Sequence, residues 1–175
     1  MITSCGIFKK KDDSNPEKAK NDEVKISRSV IADLVVQPES LGDLKLGKTL
    51  DQLNLENWIN FDRDQVDAGF FGFDGGGKAR LYSYKSEPII AILKKENKKI
   101  KAIIAIHPDI KTNESISVQS SLNEIKAAYP NGKLKDDQMN KWSIYEIPAK
   151  KWQFIFDARL DEISGDERSQ FLIIR

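Results

Sequence analysis

The residues that come closest to a known chemical motif form a glycine-rich segment between Gly72 and Ala79. A glycine, four residues, a second glycine and Lys78 reproduce the spacing of the loop that holds nucleotide phosphates. That loop needs a hydroxyl after its lysine to bind Mg²⁺ and a helix behind it, whereas here Ala79 is followed by alternating residues typical of a strand. The segment is therefore predicted to be a hairpin turn, with a mobile binding loop as the alternative.

The binding-loop alternative defines a candidate surface, because a glycine backbone can approach a ligand closely. Its members are the glycines and the aromatic and charged residues beside them: Phe71, Asp74, Gly75, Gly76, Gly77, Lys78 and Arg80. The run Phe70-Phe71-Gly72-Phe73 adds a second reason to examine this segment, since three aromatic rings entering one turn cannot all point into the core. We expect one ring to be exposed and to mark a contact surface.

Catalytic and metal-binding constellations are not found elsewhere in the sequence. His107 is the single histidine and Cys5 the single cysteine, which is too few for the usual multi-ligand zinc site. His107, at the exit of a strand, is predicted to bond to backbone, and the carboxylate pairs Asp136-Asp137 and Asp161-Glu162 are predicted to lie in solvated loops. We therefore predict a protein that is not an enzyme and has no metal and no cofactor. A carboxylate pair assembled from distant positions is the alternative.

The charge balance argues against a nucleic-acid partner. The 175 residues include 28 basic and 27 acidic side chains, for a net charge of +1, and the two signs are interleaved along the chain. Nucleic-acid affinity depends largely on concentrated positive charge. The longest apolar runs, Ile89–Leu93 and Ile103–Ile106, fall far short of the roughly 20 residues that span a bilayer, so no transmembrane segment is predicted.

The elements that would position these residues are mainly strands. Alternating or continuous apolar residues predict strands over 79–84, 89–94, 100–107, 142–147, 152–157 and 171–174. The unbroken apolar run Ile103–Ile106 indicates a central strand covered on both faces. Capping boxes at Thr49–Gln52 and Ser121–Glu124 predict short helices that continue to about Trp58 and Tyr129.

The two capping boxes belong to segments that repeat at one offset. Each follows a short alternating stretch, 44–47 or 116–119, that is predicted to be a strand. Thr49 and Ser121 lie 72 residues apart, and the same offset pairs Leu46 with Val118, Leu50 with Leu122, Leu53 with Ile125, Tyr82 with Phe154 and Tyr84 with Phe156. The sequence thus predicts a single α+β domain over 24–175, an antiparallel sheet with short helices. A diverged tandem duplication of a strand-helix-strands unit, with repeats at about 41–109 and 113–175, would account for the offset.

The segment up to residue 23 is predicted to be a disordered tether, because it is polar and nearly free of apolar residues after Phe8. At its start, Ile2-Thr3-Ser4-Cys5-Gly6 resembles the lipobox of bacterial lipoproteins, in which small residues precede a lipid-bearing cysteine. The resemblance implies lipid attachment at Cys5 and anchoring to a membrane of the cell envelope, facing the periplasm or the exterior. Only four residues precede Cys5, where a signal peptide needs basic and apolar regions. Either the numbering starts late in that peptide or the match is incidental.

The order of elements from Leu41 to Asp157 is also similar to that of small envelope lipoproteins of unknown function, including those regulated by sigma-E. The segments Leu46-Gly47-Lys48-Thr49-Leu50 and Val118-Gln119-Ser120-Ser121-Leu122 carry this resemblance, with Gln119 where a glycine is expected. The duplicated layout is similar to that of tandem-repeat inhibitor proteins. These features predict a lipid-anchored envelope protein with a non-catalytic binding or structural role toward an unidentified protein or small ligand. The alternative is a soluble cytoplasmic interaction or inhibitor protein.

Overall fold

A computed structural model describes residue 31 and residues 34–50, 62–73, 76–137 and 141–175. The strands are β1 (Val36–Gln37), β2 (Ser40–Leu41), β3 (Leu44–Lys45), β4 (Asp62–Asp67), β5 (Lys78–Tyr84), β6 (Glu87–Lys94), β7 (Ile100–Ala105), β8 (Lys133–Asp137), β9 (Trp142–Ile147), β10 (Trp152–Phe156) and β11 (Phe171–Ile174). The helix α1 spans Leu122–Ala128, and two 3-10 helices span Ala68–Phe71 and Pro148–Lys150.

Eight strands form one large sheet in the order β4-β5-β6-β7-β11-β10-β9-β8, and β1 to β3 form a small second sheet. The large sheet consists of two four-stranded meanders, β4 to β7 and β8 to β11. They meet where β7 pairs antiparallel with β11. The predicted antiparallel α+β sheet is confirmed, with one short α-helix among the described residues, and strands make up most of the described structure.

One face of the large sheet packs against the small sheet and α1, and we call it the closed face. Its apolar cluster joins Phe154 and Ile103 of the large sheet to Leu41 of β2 and Ile125 of α1. Trp152 also donates its indole N–H to the backbone carbonyl of the residue that ends β1, at 3.2 Å. Fully buried aromatic side chains such as these remove the most apolar area from water and therefore contribute heavily to stability.

The opposite face, which we call the open face, carries a second apolar cluster that includes Phe71, Phe73 and Ile155. Within β7, Ile103 belongs to the closed-face cluster and Ile104 to the open-face cluster, and both are fully buried. β7 lies between β6 and β11. The prediction of a central strand covered on both faces is therefore confirmed.

The two edge strands of the large sheet, β4 and β8, are not recognisable from the apolar pattern. Their sequences, DRDQVD and KLKDD, are rich in charge. Charged side chains are common on edge strands, where they discourage pairing with other chains. The prediction that Asp136 and Asp137 lie in a solvated loop is wrong, because both belong to β8 and Asp137 is buried.

The capping box predicted at Ser121 is present. The Glu124 N–H donates to Ser121 Oγ at 3.2 Å, and the Glu124 carboxylate accepts the Ser121 N–H at 2.7 Å. This reciprocal pair satisfies two of the free N–H groups at the start of α1. The matching helix predicted from Leu50 to Trp58 lies outside the described residues beyond Leu50.

The strand predicted over 116–119 is not formed. These residues make turns instead, and Gln119 has a φ of 73°, in the left-handed region that favours glycine. Gly47, 72 residues earlier, has a φ of 78°. The Gly47 N–H donates to the Ile100 carbonyl at 2.9 Å, and the Gln119 N–H donates to the Ser169 carbonyl at 2.8 Å. The first turn therefore bonds to the first residue of β7, and the second bonds two residues before β11 begins.

The 72-residue offset does not hold through the whole sheet. It pairs Tyr82 of β5 with Phe154 of β10, whereas the order of the two meanders places β5 opposite β9. The connections between the first strands of the two meanders differ in length, and this difference shifts the correspondence. The apparent match of Tyr82 and Tyr84 with aromatic residues of β10 is therefore wrong as an alignment of equivalent strands.

Several predicted features lie outside the described residues. These are Cys5 with the tether up to residue 23, and Asp74 and Gly75 of the candidate surface. Within the described part of the chain, no helix is long and apolar enough to cross a membrane. The positions that can be assessed on the candidate surface are thus its aromatic residue, two of its glycines and its two cations.

Candidate functional site

The described residues of the candidate surface lie between β4 and β5 and on the first residues of β5. The Asp67 carboxylate accepts the Gly69 N–H at 2.9 Å and so begins the 3-10 helix Ala68–Phe71. Gly72 ends that helix with a φ of 74°, a conformation that favours glycine. The first residue of the helix then donates its N–H to the Gly77 carbonyl at 2.9 Å. This hydrogen bond therefore joins the start of the 3-10 helix to the residue just before β5.

The 3-10 helix decides which aromatic ring meets solvent. Phe71 is only 3% exposed, and its ring centre lies 5.2 Å from that of Phe171 on the open face. Phe70, the preceding residue, is 69% exposed. Because a buried ring cannot contact a partner directly, we correct the candidate surface by replacing Phe71 with Phe70. The expectation that one of the three rings is exposed is confirmed.

Phe70 lines a pocket of about 630 Å³ on the open face, which we call the aromatic pocket. Its walls come from three separate parts of the chain: Asp67, Gly69 and Phe70; Trp142, Ile155 and Asp157; and Gln170 and Phe171. The ring centre of Phe171 lies 6.5 Å from that of Phe70 and 6.3 Å from that of Trp142. Three aromatic rings and two carboxylates therefore line one cavity.

Trp142 and Phe171 lie in strands that the sequence predicts, but neither is among the predicted site residues. They meet because β10 lies between β9 and β11, with Ile155 directly opposite Phe171. Large rings at the first positions of two strands are the only sequence signal of this pocket. The pairing of strands far apart in the chain cannot be derived from that signal.

Gly76 and Gly77 line a second pocket, of about 640 Å³, which we call the lysine pocket. Its other walls come from the ends of β5, β6 and β7 and the turn between them: Lys78, Leu93, Lys94, Lys95, Glu96, Asn97 and Lys101. Four lysines and one carboxylate thus line it. The Lys101 ammonium lies 4.9 Å from the centre of the Phe73 ring, where cation–π attraction helps to hold it in place.

Arg80 of the candidate surface is exposed beside a third, smaller pocket of about 410 Å³. Lys78 and Lys94 line both this pocket and the lysine pocket. Lys78 Nζ also lies 3.6 Å from Asp67 Oδ2. One ion pair therefore connects a residue of the aromatic pocket to a residue of the lysine pocket.

His107 holds the structural position predicted for it. It is buried beyond the end of β7, where its Nδ1 accepts the Asp109 N–H at 3.1 Å and its Nε2 lies 3.2 Å from Glu87 Oε1. The predicted bond to backbone is confirmed. Within the part of the chain that the structure describes, no group of three His, Cys, Asp or Glu side chains could hold a metal ion.

A separate polar network lies beside the closed-face core. Glu114 accepts hydrogen bonds from the Lys150 ammonium at 2.9 Å and from the Tyr129 hydroxyl at 2.7 Å. These bonds lower the pKa of Glu114 from 4.5 to about 2, and burial raises the pKa of Tyr129. Neither group exchanges a proton readily near pH 7, so the network is suited to stabilising the fold rather than to acid–base catalysis.

Comparisons with known proteins bear on the fold alone. No protein-family model matches the chain, and no curated protein matches it. Among solved structures, the chain is similar to the uncharacterized protein yfeY from Escherichia coli, with a TM-score of 0.55 and 11% sequence identity. The similarity covers 81% of this chain and 99% of the other. At this level of identity it shows a shared fold and carries no function with it.

Proposed function

We propose that this chain is a lipid-anchored protein of the cell envelope that binds a partner without catalysing a reaction, and that the aromatic pocket is its binding site. The observation that carries the binding role is the exposure of Phe70, at 69% of its surface, beside Trp142 and Phe171. A large apolar ring in water costs free energy that contact with a partner recovers. Aromatic residues around a pocket are also the side chains that most often dominate binding energy.

The charges that line the pocket favour a particular occupant. Asp67 and Asp157 contribute carboxylates to a wall otherwise formed largely by aromatic and aliphatic groups. A partner segment with an aromatic or aliphatic side chain next to a lysine or arginine would complement both features. Its apolar group would enter the cavity, and its cation would lie near the carboxylates.

A matched pair of variants tests this role. Phe70 and Leu160 are the exposed large hydrophobic residues within the described residues, and Leu160 does not line the pocket. We expect N-acetyl-tryptophanyl-lysine amide to perturb the Trp142 indole signal in an NMR titration, and N-acetyl-tryptophanyl-glutamate amide to do so less. Phe70→Ser should abolish the effect and Leu160→Ser should leave it unchanged. Equal responses of the two variants would contradict the proposal.

The anchor is tested separately, by intact-mass analysis of the native protein from membrane and soluble fractions. The support for an anchor is the lipobox-like sequence at Cys5. We expect a membrane species that begins at Cys5 and carries added acyl mass. An unmodified chain in the soluble fraction would instead favour the alternative, a soluble cytoplasmic interaction or inhibitor protein that uses the same pocket.

We also infer that the two meanders descend from a duplicated strand-helix-strands unit. Support comes from the similar turns at Gly47 and Gln119, which share a left-handed φ and bond to the first residue of β7 and to Ser169, just before β11. A common origin predicts the same requirement at both positions. Gln119→Gly should stabilise the protein by about 1 kcal/mol, and Gly47→Gln should destabilise it by a similar amount. A destabilising Gln119→Gly or a stabilising Gly47→Gln in urea unfolding would mean that the turns are not equivalent.

A further inference from the structure

We propose that the lysine pocket is a second binding site, which takes an anion bearing phosphate groups. Four lysines and one carboxylate line it, whereas basic and acidic residues are almost equal in number over the whole chain. The fold therefore concentrates positive charge that is dispersed in the sequence. A cavity of about 640 Å³ has room for a small phosphorylated molecule.

One of the cations is held in place before any ligand arrives. Lys101 lies over the Phe73 ring, and Phe73 is itself buried. Lys78 lies 3.6 Å from Asp67 in an exposed ion pair, which a bound anion would weaken. A side chain that is already positioned loses less conformational entropy when it binds, so Lys101 is better suited to hold an anion than a freely rotating surface lysine would be.

The backbone beside these lysines is open to a ligand. Gly76 and Gly77 have φ values of 56° and 106°, and a Cβ added at Gly76 would meet nothing within 4 Å. This conformation favours glycine at position 76, and the missing side chain leaves free space next to the ammonium groups. A phosphate oxygen can approach the chain closely there.

The adjoining pocket extends the cationic surface. It brings Arg63 and Arg80 to the region together with one carboxylate, that of Asp64, and it shares Lys78 and Lys94 with the lysine pocket. Arginine presents a planar fork of N–H donors that suits phosphate oxygens. A ligand with two phosphate groups, such as pyrophosphate, would therefore bind more tightly than one with a single phosphate. The lysine pocket shares no lining residue with the aromatic pocket, so anion binding there does not rest on the proposed function.

The test is isothermal titration of the full chain with pyrophosphate. Lys78→Gln combined with Lys101→Gln should weaken binding about tenfold or more, because two charged contacts are lost. Lys126→Gln combined with Lys133→Gln removes the same charge from exposed positions on α1 and β8 and should leave affinity unchanged. Equal losses of affinity in the two double variants would overturn the proposal. So would the absence of binding by the unsubstituted chain both to pyrophosphate and to the anionic vesicles described next.

The phosphate could belong to a free metabolite or to a lipid headgroup, and a second experiment separates these sources. A Cys5→Ser chain, which has no thiol for lipid attachment, is mixed with phosphatidylcholine vesicles with and without phosphatidylglycerol. Sedimentation only with the anionic vesicles, lost in the Lys78/Lys101 double variant, would identify a headgroup. Binding of pyrophosphate alone would identify a soluble ligand. Because neither assay uses the anchor or the aromatic pocket, failure here leaves the proposed function standing.

Discussion

The polar and aromatic groups on the closed and open faces of the large sheet differ in how far they are bonded and buried. Beside the closed face, Tyr129, Glu114 and Lys150 bond to one another, and the Tyr129 ring packs edge-on against Trp152 at 5.7 Å. On the open face, Phe70 remains in water and the nearby cavity is lined by carboxylates. Among the described residues, these closed-face groups are thus bonded to one another, whereas a large aromatic ring of the open face is exposed.

This difference suggests a division of labour between stability and binding. Groups that satisfy one another lower the free energy of the folded chain, and their loss should destabilise it. Exposed groups contribute little to folding, so their loss should affect binding alone. Substitutions on the two faces can therefore separate the two roles.

We expect Gly72→Ala to have the largest effect on stability. It should also affect binding, because Gly72 lies against side chains of the open face. An added Cβ would lie 2.7 Å from Trp142 Cε3 and 2.9 Å from Ile155 Cγ2, on a residue whose φ is 74°. Left-handed strain and overpacking together should cost about 2–4 kcal/mol of unfolding free energy. The displaced Trp142 should also close the aromatic pocket, as urea unfolding and the dipeptide titration would reveal.

Gly76→Ala is the matched control for this prediction. Gly76 also has a positive φ, of 56°, but an added Cβ meets nothing within 4 Å. Only the backbone strain should remain, at about 1 kcal/mol. If both alanine variants lose the same stability, the contacts with Trp142 and Ile155 are not what requires glycine at position 72.

Tyr129→Phe tests the closed face, where a substitution should affect stability and leave binding unchanged. The substitution removes a hydroxyl that lies 2.7 Å from both Thr112 Oγ1 and Glu114 Oε2. We expect a loss of about 1–3 kcal/mol in thermal or urea unfolding. Dipeptide binding at the aromatic pocket should be unaffected, and a change in affinity would show that the two faces are coupled.

The pH dependence of stability offers a smaller test at the same network. The pKa of Glu114 is about 2 in the folded chain, below its ordinary 4.5. A lowered folded pKa contributes stability above pH 4.5 that is lost as pH falls toward 2. Because Glu114 and Lys150 are partly exposed, the contribution should be about 1 kcal/mol or less.

The measurement compares urea unfolding of the parent chain and Glu114→Gln at pH 7 and pH 3. The variant should be less stable at pH 7, and the difference should shrink at pH 3. Glu124, whose pKa is also lowered but which caps α1, continues to titrate in both proteins and so cancels in the comparison. An equal difference in unfolding free energy at both pH values would show that the charge of Glu114 does not contribute to stability.

We expect Asp67→Asn to produce the smallest change, a shift in the affinities of the two pockets. Asparagine can still accept the Gly69 N–H and begin the 3-10 helix, but it no longer neutralises Lys78. We expect pyrophosphate to bind about two- to fivefold more tightly, as expected for release of an exposed ion pair. The lysine-containing dipeptide should bind the aromatic pocket more weakly. A parallel change in both affinities would argue against opposite charge preferences in the two pockets.

Most of the sheet follows from local apolar patterns. The strands β5, β6, β7, β9, β10 and β11 lie within the ranges predicted from alternating or continuous apolar residues or extend them by a residue or two. β4 and β8 escape this reasoning because charged edge strands lack an apolar face along most of their length. The turn at Gln119 escapes it as well, since its residue type gives no sign of a left-handed backbone.

The candidate site is less predictable than the sheet. Three rings beside Gly72 indicate that one must be exposed, but only the 3-10 helix selects Phe70 over Phe71. The even mixture of charges along the chain gives no sign of the lysine pocket. Hairpin turns bring Lys78, Lys94 and Lys101 together, and a linear count of charge does not register such proximity.

The sequence by itself determines an antiparallel α+β domain, the capped start of α1, a central apolar strand and a chain without a recognisable catalytic motif. These properties follow from residue spacing, because side-chain periodicity and capping act over a few neighbouring positions. The tertiary structure alone decides that Phe70, Trp142 and Phe171 share a cavity and that lysines from three strands share another. Both pockets depend on strand order and register, which are set by burial summed over the whole sheet rather than by any one segment.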